Sequence, residues 1–146
     1  TRSGTELFGQ ESDWCKSIAC PVDEAAEDFL QEKSMKTERF FGMLEAEGVS
    51  VEKDAPKLVL TRDSAGYVLN VRAGRSSIEG ERFRLFELPS SCFFLEEQGG
   101  KMVITTKGIG HGIGLDQYYA NALAKQGASA EEILELFFPG LLKKSE

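Results

Sequence analysis

The sequence predicts an α+β fold, in which antiparallel β hairpins form a sheet with helices packed against it and a C-terminal helical pair follows a glycine-rich loop. Two pairs of short apolar runs are each joined by a few turn residues, which is typical of antiparallel hairpins. Segments with apolar residues at helical spacing stand apart from these runs. That separation favours α+β over a parallel, doubly wound sheet.

Two helices are predicted in the first third of the chain. Residues 22–30 form one helix with Asp23 as its N-cap, and residues 37–47 form another, which begins at Thr37 and ends before Gly48. The buried faces are predicted to contain Ala25, Ala26, Phe29 and Leu30 in the first helix, and Phe40, Phe41 and Leu44 in the second. Both outer faces are acidic, which is typical of a solvated surface.

Two hairpins are predicted in the middle of the chain. Residues 57–62 pair with residues 66–72, and residues 93–97 pair with residues 102–106 across a Gly-Gly turn. Residues 79–88, between the hairpins, are predicted to form a short helix.

A loop of alternating glycines follows the last predicted strand. Its glycines are Gly108, Gly110, Gly112 and Gly114, and they surround His111, the single histidine of the chain. Because glycine has no Cβ, such a backbone can adopt positive φ and lie close to another surface.

A helical pair is predicted after the loop. Leu115 or Asp116 opens the first helix, which ends at Gly127 in a left-handed C-terminal cap. Ser129 and Glu132 have the spacing of a capping box for the second helix. The predicted buried residues are Leu115, Tyr119, Ala122 and Leu123 in the first helix, and Ile133, Leu134 and Phe137 in the second.

Three interpretations of the loop remain open. The glycines could serve only a tight crossover in which His111 is hydrogen-bonded and inert. They could form a phosphate-binding loop, although the Lys-Ser/Thr pair of a P-loop is missing and a helical pair follows instead of a βαβ unit. Alternatively, the loop could face a substrate, with His111, the nearby Asp116, Gln117 and Tyr118, and the exposed backbone at Gly110 and Gly112 contacting a polar ligand.

Length and charge restrict the class of protein. The chain has 146 residues, and 41% of them are hydrophobic, which predicts a single globular domain over residues 1–146. The net charge of −7 lies entirely in residues 1–56, which contain 13 acidic and 6 basic residues; the remainder has 11 of each. Without a basic stripe the chain is not expected to bind nucleic acid.

The chain has three cysteines, Cys15, Cys20 and Cys92, so one thiol stays unpaired whichever two form a disulfide. Cys15 and Cys20 could be small buried thiols, a disulfide, or two ligands of a zinc ion. Cys92 lies in a predicted strand and is expected in the core, with a Cys92–His111 pair as the alternative. No other cofactor is expected.

Two further features have alternative interpretations. Trp14 could stack on a sugar ring, although a lone tryptophan is more often a core residue. The arginines could bind the carboxylates of a ligand, or they could pair with the acidic helices. These arginines are Arg72, Arg75, Arg82 and Arg84.

The C-terminal third resembles the stage II sporulation protein D family, also called the SpoIID/LytB or amidase-enhancer family. Its signature reads approximately G-x-G-H-G-x-G-x-S-Q-x-G-A, followed by two helices and an aromatic-aromatic-Pro-Gly ending. The matching residues are Gly108, Gly110, His111, Gly112, Gly114, Gln117, Ala120, Gly127, Ile133, Leu134 and Phe138-Pro139-Gly140. Asp116 stands where the family usually has Ser, and Tyr119 where it usually has Gly.

The resemblance implies a protein that acts on peptidoglycan in the cell envelope, outside the cytoplasmic membrane, and is linked to sporulation. It implies either part of a lytic transglycosylase that cleaves glycan strands, or a non-catalytic module that binds peptidoglycan or enhances a cell-wall amidase. The chain resembles only the C-terminal part of the family's domain. The family's catalytic glutamate lies in the other part, so the resemblance assigns no catalytic residue here, and a membrane contact would come from a segment outside this chain. Some members hold zinc with Cys and His.

Overall fold

The computed structural model describes residues 1–10, 12, 14–51 and 57–141. The chain divides into two compact units. One contains Thr1–Phe29 and Gly112–Glu146, and the other contains Leu30–His111. Six strands in antiparallel sheets, with helices in separate segments, confirm the predicted α+β class.

The Leu30–His111 unit contains two antiparallel, three-stranded sheets. The first has the order β1-β6-β5 and the second has the order β2-β3-β4. The strands are β1 (Leu30–Lys36), β2 (Leu58–Arg62), β3 (Val68–Ala73), β4 (Ser76–Glu79), β5 (Phe93–Gln98) and β6 (Lys101–Lys107). The predicted hairpins β2–β3 and β5–β6 are therefore confirmed.

Helical segments complete both units. The Leu30–His111 unit adds helix α2 (Thr37–Ala46) and a 3₁₀ helix (Gly80–Phe86). The other unit contains α1 (Gly4–Phe8), a 3₁₀ turn (Asp23–Ala25), α3 (Gln117–Lys125) and α4 (Ala130–Phe137). Within the described residues, none of the helices has the length and apolar character that crossing a membrane requires.

An aromatic cluster fills the core of the Leu30–His111 unit. Phe83 of the 3₁₀ helix is fully buried, and its ring centroid lies 4.7 Å from that of Phe93 and 4.9 Å from that of Phe86. Phe40 of α2 is also fully buried against this cluster. Burying one such side chain contributes about 1.5–3 kcal/mol. The cluster therefore anchors α2 and the 3₁₀ helix to β5.

The helix predicted over residues 22–30 is wrong. Only Asp23–Ala25 is helical, as a 3₁₀ turn whose N-cap is Val22, and Leu30 already begins strand β1. In β1 every second side chain points to the same side, and Met35 pairs with Met102 of β6 and is buried. Pairing with β6 satisfies the backbone of β1, so tertiary contacts override the helical spacing.

Smaller differences have local causes. The helix predicted over residues 79–88 is a 3₁₀ helix preceded by strand β4. Gly80 begins it at a close backbone approach, because a Cβ there would lie 1.8 Å from the carbonyl oxygen of Val68. Leu134, predicted to be buried, is 38% exposed, whereas Ile133 and Phe137 are buried as expected.

The predictions made for the cysteines and for Trp14 are confirmed only in part. All three cysteines are free thiols, so the disulfide alternative is wrong. Cys92 is buried as predicted, and its Sγ donates to the carbonyl oxygen of Gly66 at 3.5 Å. Trp14 is 44% exposed, so it is not the core residue that a lone tryptophan usually is.

Candidate functional site

Strand β6 leads directly into the glycine loop, and neighbouring backbone holds the beginning of the loop in place. Lys107 N–H donates to the carbonyl oxygen of Cys92 at 2.7 Å, and Gly110 N–H donates to that of Pro89 at 2.8 Å. Ser90, which is fully buried, forms an isolated parallel bridge with Gly110. The backbone of residues 89–92, of which Ser90, Ser91 and Cys92 are buried, therefore holds the beginning of the loop in place.

The glycines of the loop are required by backbone conformation. Gly108 has φ +67° and Gly110 has φ +99°, in the left-handed region that residues with a Cβ rarely adopt. A Cβ built at either position would meet nothing within 4 Å among the described residues. Close packing is thus not the reason for glycine here, and open space lies beside this part of the loop.

His111 lies at the end of the Leu30–His111 unit and is exposed. Its neighbour Ile109 is 70% exposed. An imidazole can both donate and accept hydrogen bonds, and an exposed isoleucine offers an apolar contact beside it. This combination suits a ligand with hydroxyl or amide groups on an apolar frame.

The second half of the loop belongs to the other unit and leads into α3. The carbonyl oxygen of Gly112 accepts a hydrogen bond from Arg2 N–H at 2.7 Å. Asp116 is the N-cap of α3, as predicted, and its Oδ1 accepts from Tyr119 N–H at 2.8 Å. Aspartate and serine are both good N-caps, so aspartate at this position keeps the cap and adds a negative charge. Gln117, the first residue of α3, is exposed.

Asp116 also lies in a cluster with Cys20 and Asp23. One ligand atom from each of these three side chains lies within 4.8 Å of the other two. Among the described residues, this is the group of His, Cys, Asp and Glu side chains with the spacing to hold a metal ion. It does not include Cys15, whose Sγ donates to the carbonyl oxygen of Arg2 at 3.9 Å.

Two pKa values in the cluster are strongly raised. Burial raises the pKa of Asp23 to about 6, and a hydrogen bond and charge repulsion from Asp116 add to the effect. Burial likewise raises the pKa of the Cys20 thiol to about 11, with the carboxylates of Asp116 and Asp23 contributing.

The grouping of Cys20 and Asp23 with Asp116 could not be read from the sequence. The closeness of Cys20 to Asp23 is local, because side chains three residues apart come together in a tight turn. Asp23 N–H donates to the carbonyl oxygen of Cys20 at 3.2 Å in that turn. Nearly a hundred residues separate this turn from Asp116. A single sequence contains no pattern that predicts a contact between residues so far apart.

The four arginines are all exposed. Arg82 forms an ion pair with Glu47, just after α2, which supports the interpretation of this residue as a structural partner. Arg72, Arg75 and Arg84 stay predictions as contacts for carboxylates.

Comparison with known proteins finds relatives whose similarity covers most of the chain. It is 29% identical over 130 residues to a protein named Stage II sporulation protein D from Bacillus amyloliquefaciens. It is 26% identical over 129 residues to the protein of that name from Bacillus subtilis (strain 168). The aligned part is 88% and 87% of this chain, but 37% of each relative.

A shorter similarity connects the chain to another protein of Bacillus subtilis (strain 168). A protein named Amidase enhancer is 44% identical over 51 residues, which are 35% of this chain and 7% of that relative. No family model matches the chain. The relatives confirm the likeness that the glycine signature predicts.

Proposed function

We propose that this chain, which is similar to stage II sporulation protein D along most of its length, acts on peptidoglycan in cell-wall remodelling during sporulation. Its place would be the cell envelope, outside the cytoplasmic membrane. The observation that carries the proposal is the glycine loop, which presents an exposed His111 beside open space.

Peptidoglycan has the chemistry that this loop could bind. Its glycan strands carry hydroxyl and N-acetyl amide groups, which pair with donors and acceptors of both kinds. His111 and Gln117 would supply side-chain hydrogen bonds, and Gly110 and Gly112 would supply backbone groups that no Cβ covers. Asp116 would contribute at the start of α3 as a hydrogen-bond acceptor.

The chain would serve as the strand-binding part of a lytic transglycosylase. Cleaving a glycosidic bond requires a carboxylic acid that protonates the leaving oxygen. The family resemblance implies a catalytic glutamate in the N-terminal part of the family's domain, which this chain does not resemble, and the chain spans 37% of the relatives it matches. The role proposed for the residues of this chain is therefore to position the strand.

The second candidate function is that of a non-catalytic module that enhances a cell-wall amidase. The observation that favours it is the 44% identity over 51 residues to the protein named Amidase enhancer. In that case the same loop would contact peptidoglycan or the amidase, and no glycan bond would be cut.

One experiment separates the two candidates. Purified glycan strands are incubated with the full-length protein and with its His111→Ala variant, and the released fragments are separated by chromatography. The transglycosylase proposal predicts cleavage that the variant slows by about tenfold, because one positioning contact is lost. A parallel assay adds a cell-wall amidase and intact sacculi. Strands left uncut, together with faster amidase release of stem peptides, would favour the enhancer, and no effect in either assay would contradict both candidates.

A further inference from the structure

The outer face of the β1-β6-β5 sheet carries an exposed aromatic ring with two cations beside it. Phe94 of β5 is 42% exposed and pairs with Thr105 of β6, so it lies on the same face as Lys107. The guanidinium carbon of Arg62, at the end of β2, lies 4.4 Å from the centre of the Phe94 ring, and Lys107 Nζ lies 5.2 Å from it. At these distances both cations are attracted to the ring. Arg62, Phe94 and Lys107 together form the basic surface.

Arg62 is held in place before any ligand binds. Its Nη1 donates a hydrogen bond to the carbonyl oxygen of Gly66 at 2.9 Å, and its Nη2 donates to that of Phe93 at 2.8 Å. Because these bonds and the ring of Phe94 fix the orientation of the guanidinium, its remaining N–H groups are ready to donate to an anion. A donor that is already ordered binds more tightly, since less side-chain entropy is lost on binding.

Neither cation has an acidic partner within the part of the chain that the structure describes. Glu32 and Glu96 point to the same face of the sheet, but neither forms an ion pair with Arg62 or Lys107. The chain has 24 acidic and 17 basic residues, so two unpaired cations beside one ring are not a consequence of a basic composition. A carboxylate from a ligand would reduce the repulsion between them and form charge-assisted hydrogen bonds.

An aliphatic side chain adjoins the basic surface. Leu30 of β1 lies directly opposite Lys107 in the register of β1 and β6, and it is 60% exposed. A ligand with both carboxylates and aliphatic groups would cover Leu30 and the exposed part of Phe94. A polysaccharide has no aliphatic side chains, and the cations beside Phe94 compete for the ring face on which a sugar would stack. These features favour a polypeptide ligand.

We propose that the basic surface binds a partner protein through an acidic segment that also carries aliphatic side chains. One carboxylate of the segment pairs bidentately with Arg62, and another pairs with Lys107. Aliphatic side chains of the segment contact Leu30 and Phe94. The surface lies entirely within the Leu30–His111 unit, and the proposal does not rest on contact with peptidoglycan.

Fluorescence anisotropy with a labelled peptide of three Asp-Leu-Glu-Gly repeats tests the proposal on the 146-residue protein. The expected result is saturable binding that weakens as salt is added, because salt screens exposed charges. Arg62→Gln should weaken binding about tenfold, since a bidentate ion pair is lost. Lys107→Gln should weaken it about threefold, since one exposed ion pair is lost.

Lys101→Gln is the matched control, because it removes the same charge from the other end of β6 on the same face of the sheet. This variant should bind the peptide like the wild-type protein. Circular dichroism checks that each variant is folded. Lys107→Gln changes an exposed side chain, so it decides the outcome if Arg62→Gln does not fold.

Two further ligands separate the contributions of charge and apolar contact. A peptide of Asn-Leu-Gln-Gly repeats keeps the aliphatic side chains without the carboxylates. Polygalacturonate supplies carboxylates on a polysaccharide without aliphatic side chains. Both should bind at least tenfold more weakly than the acidic peptide, because each lacks one of the two kinds of contact.

Several results would overturn the proposal. These are no binding of the acidic peptide at millimolar protein, equal binding of the neutral peptide, or a loss in Lys101→Gln as large as that in Lys107→Gln. Polygalacturonate that binds as tightly as the acidic peptide would overturn it in favour of an acidic polysaccharide. A wild-type protein that is dimeric in gel filtration, with a monomeric Lys107→Gln variant, would mean that a second copy covers the surface. None of these readouts involves peptidoglycan, so failure here leaves the proposed function standing.

Discussion

Asp116 begins helix α3 and also lies beside a second carboxyl group. Its cap to Tyr119 N–H follows from the sequence, because aspartate before an apolar helical segment is a standard N-cap. Its proximity to Asp23 does not, since Asp23 was predicted to cap a helix of its own. The structure replaces that helix with a short 3₁₀ turn, and Asp23 is left without a helix to cap.

The carboxyl pair predicts a pH-dependent stability. Folding raises the pKa of Asp23 from its ordinary 3.8 to about 6, so the native protein holds a proton that the unfolded chain releases in this range. The free energy of unfolding should therefore fall as the pH rises from about 4 to 6. In Asp116→Asn this decrease should be smaller, and at pH 7 the variant should be more stable by about 1 kcal/mol after solvent screening is allowed for.

Thermal unfolding between pH 4 and 8, with a chelator to remove metal ions, measures this effect. Glu24→Gln is the control, because it removes one acidic charge from the same 3₁₀ turn and should leave the pH profile unchanged. If Asp116→Asn and the wild-type protein show the same pH profile, the two carboxyl groups do not interact as described.

His111 and the glycines around it were recognisable from the sequence, because their spacing is a local pattern. The positive φ of Gly108 and Gly110 agrees with the predicted need for glycine. The open space beside them could not be predicted, since it depends on which other segments pack nearby.

Helix α4 shows how far local signals determine an element. Ser129 and Glu132 form the predicted capping box, in which Ser129 Oγ accepts from Glu132 N–H at 3.2 Å and Glu132 Oε2 accepts from Ser129 N–H at 2.8 Å. Strand β1 shows the opposite case. Its sequence allowed a helix to run up to Leu30, and pairing with β6 decided the outcome.

The capping box gives a prediction for helix α4. Ser129→Ala should lower the free energy of unfolding by about 1 kcal/mol, whereas Ser129→Asp should leave it nearly unchanged, because aspartate also caps. Hydrogen bonds from the backbone and side chain of Ser129 lower the pKa of Glu132. The stability that these hydrogen bonds contribute is present above the ordinary pKa of 4.5 and is lost as the pH falls through the lowered pKa of Glu132.

Urea denaturation at pH 7 and at pH 3 measures the effect of these two substitutions. The difference between Ser129→Ala and the wild-type protein should be smaller at pH 3. A Ser129→Ala variant as stable as the wild-type protein at pH 7 would mean that the box contributes nothing to folding.

For the chain as a whole, the sequence predicted the α+β class and both hairpins because strands close in sequence pair through turns that it shows directly. It did not predict that β1 joins β6 and β5, since that pairing closes a loop of more than sixty residues. The arrangement into two compact units was likewise out of reach, because the first unit combines the two ends of the chain.

The glycine loop is divided in sequence between the two units. Gly110 and His111 end the Leu30–His111 unit, and Gly112 resumes the other unit. Every part of the proposed function depends on whether this loop contacts the cell wall.

Co-sedimentation of the 146-residue protein with purified sacculi tests that contact most directly. The protein should sediment with the sacculi, and His111→Ala should bind roughly fivefold more weakly, as expected for one lost hydrogen bond of about 1 kcal/mol. Gln98→Ala, an exposed change at the end of β5, should bind like the wild-type protein. A protein that stays in the supernatant, or a His111→Ala variant that sediments as well as the wild-type protein, would contradict the account.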